Sequence, residues 1–193
     1  MRRGWTRLWG SVSFLLIIPE ILTGQNGAAK PARKIERDNE WKLAGLLPGR
    51  TRVAAAEELL GKPLEKDADS LTFRWHNCFN DLIAESDGKG VVQTVRISKR
   101  SGSSDCASQR TVTRWTTGKG LRVGDAAFRV TQLYGKPDSV SPSTKDSQRL
   151  ELWYYAFDWA GPDVPQVMEV VCTVGKDGQP GRVVEITLAA SSL

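Results

Sequence analysis

The stretch "QLYGKP" at 132–137 nearly repeats "ELLGKP" at 58–63, and Gly135 follows Gly61 by 74 residues. With the two Gly-Lys-Pro triplets superimposed, Val53, Ala56, Leu59 and Leu60 fall opposite Ala127, Val130, Leu133 and Tyr134. Each set keeps the i, i+3, i+6, i+7 spacing that lines one stripe of a helix. Thr51 and Asp125 are the expected N-caps. Gly61 and Gly135 suit a left-handed position at the helix end, and Pro63 and Pro137 prevent continuation. Helices of nine or ten residues do not persist alone in water, so each needs a sheet to lie on.

The sequence downstream supplies one in each half. "SLTFRW" (70–75) and "RLELWYYAF" (149–157) alternate like strands, and each is followed by a hairpin around a glycine-rich turn, at 82–98 and 168–189. Tight turns make consecutive strands antiparallel. The expected fold class is therefore α+β: two tandem modules, each a short helix or helix pair packed on a three-stranded antiparallel meander. The first module spans 41–100, 101–110 is a linker, and the second spans 111–190. Modules this small bury little surface alone, so their sheets are expected to meet at their edges or share a core. "DSVSPSTKDSQ" (138–148) reads as an exposed loop inserted in the second module. "DWAGPDVPQ" (158–166) reads as a long connection between its first two strands.

The segment "LRVGDAAFRVTQLYGKP" (121–137), with its aromatic strand and Gly-turn hairpin, resembles the helix–sheet repeat of the BamE/SmpA-like lipoproteins of the outer-membrane assembly machine. Two such units in tandem resemble the design of the secreted β-lactamase inhibitor proteins. The resemblance rests on the spacing of Gly124, Gly135 and Pro137. The first half departs from it, because Gly49 lies one residue too far from Gly61. The resemblance implies the fold, an exported location and protein binding. It carries over no site residue, and the lipid-bearing cysteine is missing.

"MRRGWTRLWG", then "SVSFLLII", then "TGQNGAAK" follow the order of a secretory signal peptide covering 1–29, with a basic flexible linker over 30–40. The apolar run stops at Pro19-Glu20, short of the roughly 20 residues a bilayer span requires. An envelope tether held by an uncleaved leader is the alternative. The expected compartment is periplasmic or extracellular, with membrane contact only during export. The pI of about 9.2 suggests a polyanion partner. However, seven of the 27 Lys and Arg and two of the 22 acids precede Asp38, which leaves twenty of each in the body. A neutral body with a basic arm gives no nucleic-acid signature.

Of three cysteines, Cys172 shares a strand face with Met168, Val170 and Val174 and reads as a buried thiol. Cys78 and Cys106 remain as the candidate disulfide, with three unpaired thiols as the alternative. His76 is the only histidine, which excludes multi-histidine metal sites. The chain has no Gly-x-Ser-x-Gly elbow, and "TGKGLRVG" (117–124) lacks the order of a phosphate-binding loop. His76 and Cys78, two residues apart, would share a strand face, so a small secreted hydrolase or thiol enzyme using His76 is the competing reading. The sequence points to no enzyme, cofactor or metal.

A sheet surface is the better candidate. Aligning Leu71, Phe73 and Trp75 with Leu150, Leu152 and Tyr154 assigns those residues to the helix side. The opposite face then carries Arg74, His76, Trp153, Tyr155 and Phe157, continued by Thr94, Arg96, Glu185 and Thr187. Exposed Trp, Tyr and Arg have the composition of a protein-binding hot spot. The partner expected is an envelope protein of unknown identity. The alternative is that these aromatics are buried between modules or beneath 158–166.

Overall fold

In a computed structural model, which describes residues 39–67, 69, 71–100, 115–145, 147–175 and 177–190, each Gly-Lys-Pro triplet ends a short helix. Helix α1 is Val53–Leu60, followed by β1 (Glu65–Asp67), β2 (Thr72–His76), β3 (Asn80–Ser86) and β4 (Val92–Lys99). Helix α2 is Phe128–Tyr134, followed by β5 (Ser139–Lys145), β6 (Gln148–Ala156), β7 (Val167–Val174) and β8 (Pro180–Ala189). These elements belong to one compact unit, Glu36–Leu193. The leader over 1–29 and the linker over 101–110 lie outside the described residues.

The strands form one eight-stranded antiparallel sheet in the order β1-β2-β3-β4-β8-β7-β6-β5. This overturns the expectation of two tandem three-stranded modules. The physical cause is the pairing of β4 with β8, from Thr94–Ala189 to Ser98–Glu185, which uses the backbone groups that two separate meanders would leave as edges. Each half also has a fourth strand. The segment expected as an inserted loop is edge strand β5 and the start of β6, and the shorter β1 occupies the corresponding edge in the first half. Both edges resist further pairing: β1 is charged, and β5 carries Pro142 opposite Glu151.

Within this sheet the two halves repeat a set of hydrogen bonds. Gly49 N–H donates to the Val92 carbonyl at 2.7 Å, and Gly124 N–H to the Val183 carbonyl at 2.8 Å. Val92 N–H donates to Thr51 and Val183 N–H to Asp125, each at 2.9 Å. Trp75 Nε1 reaches the Gly61 carbonyl at 2.8 Å, and Tyr155 Oη reaches that of Gly135 at 3.1 Å. The extra residue between Gly49 and Gly61 is absorbed before Thr51, because Thr51 and Asp125 keep equivalent bonds. Gly61 (φ 84°, ψ 177°) and Gly135 (φ 75°, ψ −162°) occupy a region open essentially to glycine alone, which explains why the triplet begins as it does.

The helix caps differ from expectation. Neither helix has a side-chain cap at its N-terminus. Thr51 Oγ1 instead accepts from Leu47 N–H at 2.8 Å, and Asp125 Oδ2 accepts from Arg122 N–H at 3.0 Å. Both side chains fix the turn before the helix.

The core lies between the helices and one sheet face. One cross-strand row, Phe73–Ala84–Val95–Leu188–Met168–Tyr155, is buried throughout and packs with Ala56, Ala127, Val130 and Tyr134. Leu59, expected on the buried stripe, is exposed. The folded body also begins before residue 41. Glu40 is buried, and Asn39 Nδ2 donates to the Asp158 carbonyl at 3.0 Å, although both positions fall in the segment expected as a linker; the rest of that segment, 30–38, lies outside the described residues.

Candidate interaction face

The sheet face away from the helices is crossed by a second row in register on all eight strands: Glu65–Arg74–Ile83–Arg96–Thr187–Glu169–Tyr154–Ser139. A parallel row, His76–Asp81–Ser98–Glu185–Val171–Leu152–Ser141, lies beside it. Of the expected surface residues, Arg74, His76, Arg96 and Glu185 lie on this face, and so do Thr94 and Thr187, but those two threonines are buried rather than exposed. Arg74 and His76 are exposed, and Arg96 is half-buried.

Trp153, Tyr155 and Phe157 do not lie there. All three are buried in the core. The sequence alignment of the first strands is out by one residue, and in a strand that moves every side chain to the other face. Phe73 and Trp75 are matched in the core by Trp153 and Tyr155, while Leu152 and Tyr154 sit half-buried on the open face.

Among the described residues, two grooves lie on the open face. The larger, of about 620 Å³, is lined by Arg96, Lys99, Arg100 and Lys145 around Leu150, Val171, Val184 and Glu185. The smaller, of about 320 Å³, runs past Arg74, His76, Asp81 and Ile83, and Ser98 borders both. The larger groove is built where the halves differ. Strand β5 has seven residues against three in β1, and Ser143, Thr144 and Lys145 from it form one wall. A bulge in β8 lets Val184 and Glu185 both line the groove, since Val171 pairs with Glu185 and Cys172 with Val183. Sequence reading missed Lys99, Arg100 and Lys145. The alternation Ser139, Ser141, Ser143, Lys145 was the available signal for a strand.

The charges on this face form a loose network. Arg96 Nε stands 3.8 Å from Glu185 Oε1, and Lys145 Nζ stands 3.9 Å from Glu185 Oε2. Arg100 Nε lies 3.9 Å from Asp81 Oδ1, and Arg74 Nε lies 3.6 Å from Glu65 Oε2. Burial pushes the Glu169 carboxyl above its ordinary range, the Arg96 charge draws it back, and the Glu185 charge adds to the rise.

The reactive side chains are not brought together. Strand β2 ends at His76, so the alternation that would align Cys78 with it stops there. His76 is exposed and Cys78 is buried, beside a turn in which Asn77 Oδ1 accepts from Phe79 and Asn80 N–H. Cys172 is a free thiol inside the core, its pKa pushed up to about 12 by burial and then by the Glu151 charge. Cys106 lies outside the described residues. Among the described residues no group of three His, Cys, Asp or Glu is placed to hold a metal, and no helix is long and apolar enough to cross a membrane.

No protein-family model matches the chain, and neither does any curated protein. Two solved structures are similar to it in shape. One is a DUF4309-family protein from Bacillus subtilis, with 13% identity, a TM-score of 0.44, and coverage of 76% of this chain and 83% of that one. The other is a cysteine-rich secretory protein from Staphylococcus aureus, with 8% identity, a TM-score of 0.41, and coverage of 80% of this chain and 47% of that one. Likenesses this distant carry no conclusion about what the chain does.

Proposed function

We propose that this chain is an exported, non-catalytic protein of the cell envelope that binds another protein through the open face of its sheet. The observation that carries the reading is the face itself. Opposite the helices, half-buried Ile83, Leu152, Tyr154 and Val171 lie among Arg74, Arg96, Glu169 and Glu185. A mixed apolar and charged surface bordered by grooves is the composition of a non-obligate interface. The basic-then-apolar leader supports export, and export in turn favours a Cys78–Cys106 disulfide.

The test is affinity capture from envelope extract with the mature protein, a Val171→Asp variant and a control on the helix side, Phe128→Ser. A partner recovered by the parent and the control but lost with Val171→Asp supports the reading. Equal recovery by all three refutes it. Mass spectrometry of the secreted chain should place its N-terminus between about residues 25 and 30.

A further inference from the structure

We infer that the larger groove receives an acidic, partly apolar segment of the partner protein, with Glu185 occupying the place of the partner's carboxylates until it arrives. This inference rests on the protein-binding reading of the open face and names the chemistry of its ligand. The groove is lined by four cationic residues, Arg96, Lys99, Arg100 and Lys145, and by one carboxylate, Glu185, with Arg100 also facing Asp81 at 3.9 Å. That carboxylate serves Arg96 and Lys145 together, at 3.8 and 3.9 Å, which is attraction without a hydrogen bond. The Nε of Arg96 is shut off from solvent and has no hydrogen-bond acceptor. The rest of the guanidinium is partly exposed, and an incoming carboxylate there gains a charge-assisted hydrogen bond that the loose Glu185 contact does not supply.

The floor decides the rest of the ligand's character. Leu150, Val171 and Val184 lie between the cations, so the guest carries an apolar side chain between spaced acids. A densely charged polyanion has no use for that floor and meets Glu185 at its centre. The cations come from separate strands, Arg96, Lys99 and Arg100 from the β4 end and Lys145 from β5, so a guest must span the groove to reach both. A protein segment with acids several residues apart does so.

The test uses three fluorescein-labelled twelve-residue peptides sharing one Leu, Val, Gly and Ser framework, with four Glu, four Gln or four Lys. Anisotropy is read on the mature protein at low and moderate salt. The Glu peptide should bind about tenfold more tightly than the Gln peptide, and the Lys peptide should bind least. Added salt should weaken the Glu peptide most. Lys145→Gln, at a well-exposed position, should weaken the Glu peptide about fivefold, as should Arg96→Gln, while Glu185→Gln should strengthen it. Melting curves establish that each variant is folded. If the Glu and Gln peptides bind alike and both are lost with Val171→Asp, the acidic preference is overturned while protein binding by the face survives. If no peptide responds to any open-face substitution, this inference is overturned, and the capture experiment judges the broader reading separately. Arg96-dependent binding to phosphatidylglycerol vesicles without binding of the Glu peptide would make the groove a lipid-surface site and also overturn it.

Discussion

Tyr134 Oη donates to Glu40 Oε2 over 2.6 Å, joining the end of α2 to a carboxylate 94 residues away. Glu40 also accepts from the backbone N–H groups of Trp41, Lys42, Gly118 and Lys119, and Thr117 Oγ1 lies 2.7 Å from Tyr134 Oη. A Cβ at Gly118 would run into Glu40 Oε1, so glycine is required for this approach. Tyr134→Phe should destabilise the fold by about 1–2 kcal/mol. Glu40→Ala, which strands several donors, should cost roughly 3 kcal/mol, both measured by urea unfolding.

The same carboxylate predicts an acid dependence. Burial alone would raise the Glu40 pKa, but hydrogen bonds from Tyr134 and from the backbone of Lys42, Lys119 and Trp41 outweigh it and hold it below the ordinary range. A lowered folded value means that the contribution is complete above the unfolded carboxylate value of about 4.3. It is then lost as pH falls through the folded value. Stability should therefore fall on acidification below about pH 4. In Glu40→Gln this part of the slope should vanish, which unfolding curves at several pH values would reveal.

Gly61 and Gly135 test the repetition between halves. At each, the place a Cβ would take has no atom within 4 Å, so alanine meets open space and only the backbone objects. Gly61→Ala and Gly135→Ala should each cost roughly 1–3 kcal/mol, and by similar amounts. A large cost at one site and none at the other would mean that the two helix ends do not carry equivalent strain.

The two sheet faces should respond oppositely to truncation. Trp153→Ala removes a buried ring and should cost about 3–5 kcal/mol in urea unfolding. Arg74→Ala, on the open face with an exposed ion pair to Glu65, should stay within about 0.5 kcal/mol. Equal effects would contradict the assignment of faces.

The proposed Cys78–Cys106 bridge should appear as a linked peptide pair under non-reducing digestion, with Cys172 resisting alkylation until the protein unfolds. Reduction should lower stability by about 3 kcal/mol. A native protein that takes up label at Cys78 would refute the bridge.

Local patterns alone determined much of this chain. The helix ends at Gly61 and Gly135, the two glycine-turn hairpins and the buried face of Cys172 follow from spacing and backbone sterics, which act over a few residues. Tertiary structure decided whatever depends on partners distant in the chain. It fused β4 to β8, made an edge strand of 139–145, and chose which face of β6 to bury, sending Trp153 inward and leaving Leu152 outside. Alternation names two faces of a strand without saying which is the core. That choice falls to the cross-strand register with β7, as do the bulge at Val184 and the groove it helps to form.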